Sequence, residues 1–565
     1  MNVTPRQILG IGCSNYGPLW RLLRQASVGG SPAEVVEAPF GQVFQTLLDH
    51  APVMWKPAPE VTIVWTQPHR ICPAFARLLA GEDVDSAEVM SEVDAFVDAV
   101  HVGAKRTNRL LVVPSWSLPS DYRGRGCADW TSPAGVFPTL AQMNLRLAEG
   151  LRRDRKILML NSENWLQAAG ARATDSKLWM MGKIPFGLKV FEEAAEDICA
   201  AILAARGLAR KVLVLDLDDT LWGGIVGEEG WEGLRLGGGS PEGEAFTAFQ
   251  DAIKTLQRSG VLLALCSKNE EQVALEAIDR HPEMRLRRDD FAAWRINWSD
   301  KAQNLRELAD ELNLDIGAFV FIDDSPAERA RVREAWPQVM VPDWPADPSQ
   351  YAPALRRLRC FDMPCITEED RTRTQSYVAE RHRREDRRCA STLEEWLARI
   401  EVRVVPSLLC GADLPRAAQL LNKTNQFNLT TRRMSEADLR NLAEGPDHRV
   451  FTFRVRDRYG EYGLTGLASL TIKGETASIL DFVMSCRVMG RRVEQLMMQH
   501  VCHEASAAGC TVIRAQYIPT SRNGPCAAFL GEAGFRRCGG GTWERTLGRS
   551  GSAGERDGLM FAECP

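Results

Sequence analysis

The chain has 565 residues, of which 45% are hydrophobic and 25% are charged, and its formal net charge is −5. This length corresponds to about three domains, and the composition is that of a globular protein with a substantial core. The net charge gives no support to a nucleic-acid-binding protein. No apolar run of about 18 residues is present, so no membrane span is expected.

The cysteines indicate the cellular compartment. All 15 are scattered along the chain without a CxxC pair, which favours reduced thiols over a disulfide framework. The N-terminal residues lack the basic segment and the apolar core of a secretory signal. A cytoplasmic protein is therefore expected.

Residues 1–205 are predicted to form the first domain. Apolar segments typical of strands lie at residues 8–15, 61–65, 109–114 and 156–161. Ser14 and Asn15 lie where an SGNH-type hydrolase carries its nucleophile turn, so the region resembles an SGNH-like doubly wound sheet. Such an enzyme needs a late Asp-x-x-His pair to supply its base, and no His follows Asp175 in this region. A non-catalytic SGNH-like domain is expected, with an active esterase as the alternative.

Residues 211–220 contain the most informative motif of the chain. An apolar strand ends in Asp216 and Asp218, with Thr220 close behind. Because the two aspartates are two residues apart, an extended backbone would place them on one face. That face lies at the carboxyl end of a strand, where open α/β sheets bind ligands. A divalent cation would relieve the repulsion between the carboxylates, and Mg²⁺ prefers such oxygen ligands.

Three further polar groups follow in chain order. Cys266 and Ser267 end a second apolar strand, Lys301 begins a helical stretch, and Asp323 and Asp324 end a third strand. Helix-length segments separate the strands, which predicts a parallel sheet with all of these groups at one edge.

These four motifs, in this order, resemble those of the haloacid dehalogenase (HAD) phosphohydrolase superfamily. The resemblance implies that Asp216 is the nucleophile that accepts the phosphoryl group. It implies that Asp218 is the general acid and then the base that activates water. The implied phosphate contacts are Thr220, Ser267 and Lys301, and the implied Mg²⁺ ligands are Asp216, Asp218, Asp323 and Asp324.

The intervals between these motifs are short. About 45 residues separate Thr220 from Cys266, and about 30 separate Ser267 from Lys301, which leaves no room for a large cap domain beside the sheet elements. Residues 206–345 are therefore predicted to form a HAD-like phosphatase domain with an open site. An open site suits a bulky substrate, such as one carried on a protein.

Residues 346–400 are predicted to be a basic connector. The segment from Arg371 to Arg388 holds seven Arg and three acidic residues. The simplest interpretation is a solvated helix. The alternative is that this segment, or the pair Arg491 and Arg492, docks an acidic partner such as an acyl carrier protein.

Residues 401–545 are predicted to form an α+β domain. Segments typical of strands lie at residues 450–456, 466–472 and 477–484, and a helix is expected to open within residues 485–494. Within this segment, Arg487, Gly490 and Arg492 resemble the pyrophosphate loop of GNAT acyltransferases. In that loop, backbone amide groups at a helix start hold a diphosphate or the phosphate of phosphopantetheine. Arg492 stands where that family has a small residue. The implied pantetheine contacts are Arg487, Gly490, Arg492 and Asn523.

Taken together, residues 178–185, 216–224, 421–430 and 485–490 resemble segments of the FkbH-like proteins. The resemblance covers the chain apart from residues 546–565, a polar tail expected to be disordered. It implies an α/β protein of three domains: an SGNH-like doubly wound sheet, a HAD-like parallel Rossmannoid sheet without a large cap, and a GNAT-like α+β domain. It also implies an activity in polyketide biosynthesis. A glyceryl unit from 1,3-bisphosphoglycerate would be loaded onto an acyl carrier protein as a thioester, with Mg²⁺-dependent removal of the distal phosphate.

This chemistry must protect the activated carboxyl group from hydrolysis. If Asp216 hydrolysed the acyl phosphate, the activated carboxyl group would be lost, so Asp216 is expected to remove the distal phosphate while a Cys carries the acyl group. Cys486 is the first candidate, because a helix start and Arg487 nearby would favour its thiolate. Cys266 is the rival, because it adjoins Ser267. Direct attack by the thiol of the carrier, with no enzyme thioester, is the third possibility.

Two other functions stay open on sequence grounds. The chain could be a HAD phosphatase and acyltransferase that uses another acyl phosphate or an acyl-CoA. It could also be a scaffold that binds a carrier protein and whose sites have decayed, although the intact HAD motifs argue against this.

Overall fold

The computed structural model places two largely parallel sheets in one unit of the chain and one mixed sheet in a second unit. The units are Met1–Thr374 and Gln375–Pro565. The predicted α/β class is confirmed. The residues described by the structure are 6–28, 31–48, 53–118, 122, 126–130, 135–366, 368–424, 426–520, 522–548 and 560–561.

The strands of the first unit form a six-stranded and a four-stranded sheet. The strands are β1 Arg6–Gly12, β2 Ser27–Val28, β3 Ser31–Glu37, β4 Val61–Trp65, β5 Leu110–Pro114, β6 Ile157–Leu160, β7 Val212–Leu215, β8 Leu262–Ser267, β9 Phe291–Ile296 and β10 Phe319–Ile322. Their orders are β2-β3-β1-β4-β5-β6 and β10-β7-β8-β9. Every pairing is parallel except that between β2 and β3.

Helices connect these strands and cover the sheets. They are α1 Gly17–Gln25, α2 Val43–Leu48, α3 Pro68–Ile71, α4 Pro73–Leu79, α5 Ser86–Arg106, α6 Val136–Leu151, α7 Ser162–Ala169, α8 Ser176–Gly182, α9 Leu188–Ala205, α10 Val226–Gly233, α11 Pro241–Arg258, α12 Glu271–Arg280, α13 Lys301–Leu312, α14 Pro326–Ala335, α15 Tyr351–Arg356 and α16 Glu368–Arg371. Helix α17, Arg373–Cys389, crosses the division between the units.

Hydrophobic periodicity explains why the four-stranded sheet forms. All four residues of β7 are buried, as expected for a central parallel strand covered on both faces. Helix α11 buries Phe246, Phe249 and Ile253 on one face, as their helical spacing requires. Burying each of these side chains contributes about 1.5–3 kcal/mol.

The second unit contains a single eight-stranded sheet. Its strands are β11 Arg403–Leu408, β12 His448–Asp457, β13 Gly460–Lys473, β14 Thr476–Met484, β15 Val512–Gln516, β16 Arg536–Gly539, β17 Thr542–Thr546 and β18 Met560–Phe561, and its remaining helices are α18 Leu393–Ile400, α19 Leu414–Lys423, α20 Glu436–Glu444, α21 Val493–Ala507 and α22 Pro525–Glu532. The strand order is β16-β17-β15-β14-β13-β12-β11-β18. Most of the predicted tail, residues 549–559 and 562–565, lies outside the described residues.

A segment of the chain lies between two strands of this sheet. Strands β14 and β15 are parallel and pair only from Thr476 to Ile479 of β14. Beyond that point residues 427–429 bond to both sides: the Leu429 amide donates to the Phe482 carbonyl, the Met484 amide to the Phe427 carbonyl, and the Ile518 amide to the Leu429 carbonyl, at 3.3, 3.0 and 2.9 Å. The gap between the diverging strands is therefore filled by the chain itself.

Helix α17 is more deeply packed than a solvated helix. Arg381 and Arg383 are buried. The Arg383 guanidinium lies 2.6 Å from the Asp457 carboxylate and stacks over the Tyr462 ring at 4.4 Å. The Trp396 indole donates to the Arg383 carbonyl. The prediction of a solvated helix is therefore wrong for this face, because the helix contributes to the packing of the Gln375–Pro565 unit.

None of the helices in the described ranges combines the length and the apolar content that a membrane crossing requires.

Candidate functional sites

The parallel order of the four-stranded sheet brings the predicted polar groups to one edge. Asp216 directly follows β7, Ser267 ends β8, and Asp323 directly follows β10. Because β10, β7 and β8 are adjacent and parallel, their carboxyl ends meet. Lys301 begins α13 and reaches into the same place.

Lys301 links two of the carboxylates. Its Nζ lies 2.9 Å from Asp216 Oδ2 and 2.6 Å from Asp323 Oδ2, and all three side chains are buried. Burial disfavours the charged form of Lys301, but the charges of Asp216 and Asp323 outweigh this effect and raise its pKa above the ordinary value. Burial and the charge of Asp216 raise the pKa of Asp323. The Lys301 ammonium group thus supplies one positive charge between the carboxylates of Asp216 and Asp323.

The carboxylates suit a divalent cation. Asp216, Asp323 and Asp324 each offer an oxygen within 4.8 Å of the others. Asp216 Oδ1 is buried and has no hydrogen-bond partner among the described residues. An unpaired carboxylate oxygen in a buried site is costly, and a hard cation with oxygen preference would satisfy it. The residues therefore fit Mg²⁺.

The Asp218 side chain lies outside this group of carboxylates, which differs from the prediction that it ligates the metal. Its Oδ1 accepts hydrogen bonds from the Trp222 indole at 3.0 Å and the Val226 amide at 3.1 Å. Its Oδ2 accepts from Asn269 Nδ2 at 2.9 Å. Burial raises the pKa of Asp218. The three donors fix its orientation, as a proton donor requires.

The sequence analysis missed the roles of Trp222 and Asn269. Trp222 lies within residues 216–224 but has no role in the motifs, and Asn269 lies outside the motif residues. The available signal was position, because Asn269 lies two residues after Ser267, and its amide is also 3.3 Å from the Ser267 hydroxyl.

Thr220 and Arg329 position the loop that carries Asp323 and Asp324. The Thr220 hydroxyl is fully buried and accepts from the Asp324 amide at 3.2 Å. It therefore positions this loop, which differs from the predicted direct contact with phosphate. Arg329, also missed from sequence, donates to the carbonyls of Asp323 and Asp324 at 2.7 and 2.6 Å.

The phosphatase-like site carries no inserted domain within residues 206–345, all of which the structure describes. The segment after Thr220 contains only helix α10 before α11 begins. It is closed by backbone hydrogen bonds between Gly223 and Arg235, at 3.1 and 2.8 Å. The site therefore lies beside a short flap rather than under a cap.

Cys266 is poorly placed to carry an acyl group. It is fully buried, and its thiol donates to the Lys301 carbonyl at 3.7 Å. Burial raises the pKa of this thiol strongly. Buried structural thiols are usually inert packing groups, so the burial of Cys266 argues against the role of acyl carrier and leaves Cys486 as the better-placed candidate.

The residues just after strand β1, which include Ser14 and Asn15, also differ from an esterase site. Asn15 donates to the Gly182 carbonyl at 3.0 Å and accepts from the Gly17 amide at 3.0 Å. It therefore ties the end of β1 to the end of α8. Ser14 is buried, and among the described residues no histidine is hydrogen-bonded to it. The non-catalytic role of this domain stays a prediction.

Cys486 lies in a cleft of the second unit. The cleft has a volume of about 580 Å³ and is lined by Arg416, Gln419, Leu420, Thr424, Gln426, Ser485, Cys486 and Arg522. Cys486 is exposed and begins a short 3₁₀ turn, Cys486–Val488, which is separated from the end of β14 by Ser485. Helix α21 begins at Val493, within the segment where a helix was expected to open, so its N-terminus lies several residues after Cys486 rather than beside the thiol.

The predicted pantetheine residues do not line this cleft. Gly490 and Arg492 have φ angles of +75° and +56° and form the turn before α21. Arg491 is buried and bonds to Glu380 at 3.0 Å, and Arg492 pairs with Glu394. Because both guanidinium groups have acidic partners, they are poorly suited to dock a carrier protein, contrary to one of the sequence hypotheses.

Asn523 is a structural residue rather than a ligand contact. It is fully buried. Its amide donates to the carbonyls of Asn428 at 3.0 Å and Ile518 at 2.9 Å, and its oxygen accepts from the Thr520 amide at 2.7 Å. The bond to Asn428 anchors the segment that fills the gap between β14 and β15, and the other two bonds hold the segment that follows β15.

Replacing Asn523 with Ala is expected to destabilise the Gln375–Pro565 unit by about 1–3 kcal/mol, because buried backbone groups would lose their partners. Urea unfolding of the whole chain, followed by hydrogen exchange in each unit, measures this effect. Asn441→Ala, at an exposed position of α20, is the matched control. Unchanged protection in Asn523→Ala would contradict the structural role.

No protein-family model matches the chain, and no curated protein matches it. Among solved structures, the chain is similar to the N-terminal part of the protein BF1531 from Bacteroides fragilis, described as containing a phosphatase domain complexed with Mg. The identity is 28%, the match covers 64% of this chain and 95% of that chain, and the TM-score is 0.58. Weaker likenesses, both with a TM-score of 0.22, are to the ribosomal-protein-S18-alanine N-acetyltransferase from Escherichia coli (13% identity, 27% of this chain, 99% of that one) and to a GNAT-family acetyltransferase from Staphylococcus aureus Mu50 (10%, 26% and 99%). The first similarity shows that the matched part of this chain has the α/β fold of that phosphatase-domain structure.

Proposed function

We propose that the chain is an enzyme that couples a Mg²⁺-dependent HAD-type phosphatase to an acyl transfer. In its full form the proposal is that a glyceryl unit passes from 1,3-bisphosphoglycerate to an acyl carrier protein as a thioester. The observation that carries the phosphatase part is the buried cluster in which Lys301 joins Asp216 and Asp323 while Asp216 Oδ1 is left without a partner. The Mg complex of the similar phosphatase-domain structure supports the choice of ion.

The phosphatase step uses residues from neighbouring strand ends. Asp216 attacks the phosphorus of the monoester, and the bond to the leaving oxygen breaks while Asp218 supplies the proton. Asp218 then takes a proton from the water that hydrolyses the aspartyl phosphate. Bound Mg²⁺ would be held by Asp216, Asp323 and Asp324 and would neutralise charge on the phosphoryl oxygens. Lys301 supplies further positive charge at the same place.

The transfer step uses the cleft that contains Cys486. The sulfur attacks the carbonyl carbon of the acyl phosphate, and the carbon–oxygen bond to phosphate breaks with its electron pair leaving on phosphate. The thiol proton ends on the released phosphate, so one thioester and one hydrogen phosphate result. The thiol of the carrier then displaces Cys486 from the thioester. Exposure of Cys486 at a cleft supports this role.

The proposal assigns each phosphate of 1,3-bisphosphoglycerate to its own site, the 1-phosphate to the Cys486 cleft and the 3-phosphate to the Asp216 site. The 1-phosphate is activated and can leave when a thiol attacks, whereas the 3-phosphate is an ordinary monoester and needs a phosphatase. Hydrolysis of the acyl phosphate at Asp216 would waste the activated carboxyl group. The short flap beside Asp216 leaves the phosphatase site open to a substrate tethered to a protein.

The test is the intact mass of the protein after incubation with 1,3-bisphosphoglycerate and Mg²⁺, with and without carrier protein. We expect a glyceryl adduct on the enzyme without carrier, transfer of that adduct when carrier is added, and release of both phosphates. With EDTA the adduct should retain its distal phosphate, because only the Asp216 site needs the metal. Phosphate release without any adduct on enzyme or carrier would reduce the function to that of a phosphatase.

A further inference from the structure

Two arginines of the Cys486 cleft have no acidic partner among the residues that the structure describes. In the same unit, Arg383, Arg432, Arg449, Arg454, Arg491, Arg492 and Arg514 each form an ion pair with an acidic side chain. Arg416 bonds instead to the neutral amide of Gln419. For Arg522 no side-chain bond to another described residue is found. Both arginines line the cleft.

The remaining described lining of the cleft is neutral. It consists of amide, hydroxyl and thiol groups with one apolar side chain, and it includes no carboxylate. Two guanidinium groups without local countercharge make the cleft electropositive. In a cleft of about 580 Å³, such groups select a small anion rather than an apolar ligand.

The backbone segments that carry Arg416, Arg522 and Cys486 are fixed by neighbouring buried residues. Arg416 lies in the first half of helix α19, whose residues Ala417 and Leu421 are buried. Arg522 directly precedes the buried Asn523, and its amide donates to the Thr520 hydroxyl at 3.3 Å. Cys486 follows Ser485, the residue after the end of β14. Three separate segments therefore converge on one cleft.

We infer that Arg416 and Arg522 form a phosphate subsite beside Cys486. Guanidinium groups bind phosphate through paired, charge-assisted hydrogen bonds. The inference deepens the proposed acyl transfer and rests on it for the identity of the ligand. The phosphate would belong either to the acyl phosphate donor or to the phosphopantetheine arm of the carrier.

The chemistry of the donor explains why such a subsite is useful. An acyl phosphate carries negative charge next to the carbonyl that the Cys486 sulfur must attack. The subsite neutralises that charge and stabilises the hydrogen phosphate that leaves when the carbon–oxygen bond breaks. The thiol proton ends on this phosphate, so the step needs no other reactant.

The primary test does not depend on the proposed function. Alkylation of Cys486 by iodoacetamide is followed by peptide mass with and without inorganic phosphate. We expect phosphate to slow alkylation by about tenfold when it fills the subsite, and the double variant Arg416→Gln/Arg522→Gln to lose the protection. The exposed Cys410 and Cys538 are internal references. The matched control is Arg536→Gln/Arg537→Gln, at exposed positions of β16.

A second measurement identifies the source of the phosphate. In single-turnover acylation by acetyl phosphate, the double variant should be slower by about a hundredfold if the donor phosphate is bound. The subsite serves the carrier arm if the double variant is acylated at the wild-type rate but no longer transfers the acyl group faster to phosphopantetheine than to pantetheine. The rate of phosphomonoester hydrolysis at the Asp216 site should be unchanged in either case.

The possible failures are distinguishable. If the wild-type protein is never acylated but phosphate still protects Cys486 through the two arginines, the acyl transfer fails and the phosphate subsite stands. Equal alkylation rates with and without phosphate in the wild-type protein would overturn the subsite. Protection that persists in the double variant would overturn the assignment to Arg416 and Arg522.

Discussion

Replacing Asp216 with Asn is expected to slow phosphate release by at least about a thousandfold, because an amide cannot act as the nucleophile that splits the reaction into two steps. The fold should persist, since Lys301 keeps Asp323 as its partner at 2.6 Å. Mg²⁺-dependent phosphate release from a simple phosphomonoester measures the effect. Intrinsic tryptophan fluorescence and thermal unfolding check that the protein is folded.

The matched control for this variant is Asp251→Asn, at an exposed position of helix α11. It removes one carboxylate from the same domain without touching the strand ends, so its turnover should equal that of the wild-type protein. Near wild-type turnover by Asp216→Asn would refute the assignment. Asp218→Asn should also be severely slow, because the step needs a proton donor at the position fixed by Trp222 and Asn269.

Replacing Cys486 with Ala is expected to abolish both the enzyme thioester and the loading of the carrier, because no other thiol lines the cleft among its described residues. Hydrolysis of a simple phosphomonoester should be unchanged, since the Asp216 site does not involve this thiol. The adduct is mapped by peptide mass after incubation with 1,3-bisphosphoglycerate. Retention of the thioester by Cys486→Ala would place the acyl group elsewhere.

Cys266→Ala is the matched thiol control. Because Cys266 is fully buried, its truncation is expected to cost about 1 kcal/mol of stability and to leave carrier loading intact. An adduct on Cys266 would move the acyl site to the phosphatase domain. If neither variant lowers loading, the covalent intermediate is wrong and the thiol of the carrier attacks the acyl phosphate directly.

The two sites differ in how far the sequence predicted them. For the phosphatase site, apolar strands ending in Asp216, Ser267 and Asp323 were enough, because parallel strands necessarily bring their carboxyl ends to one edge. The local pattern there encodes the long-range arrangement. Helix α11 was predictable for the same reason, since the spacing of Phe246, Phe249 and Ile253 defines its buried face without reference to the rest of the chain.

For the second unit, the pattern was a weaker guide. Residues 421–430 belong to one of the motif segments, but nothing in their periodicity indicates that residues 427–429 bond to β14 on one side and to Ile518, just after β15, on the other. Asn523 was expected to contact a ligand, and it is instead the buried anchor of that segment. Such roles depend on partners about 100 positions away in the chain, which local spacing does not specify.

The sequence by itself determined the α/β class, the order of the phosphatase motifs and the residue types for a magnesium site, because hydrophobic periodicity and strand-end chemistry are local properties. Only the tertiary structure decided which groups are available. It turned the Asp218 carboxylate toward Trp222 and Asn269, buried Cys266 and left Cys486 exposed in a cleft. The physical reason is that burial and hydrogen-bond partners arise from segments distant in sequence, and these decide whether a carboxylate binds metal or a thiol reacts.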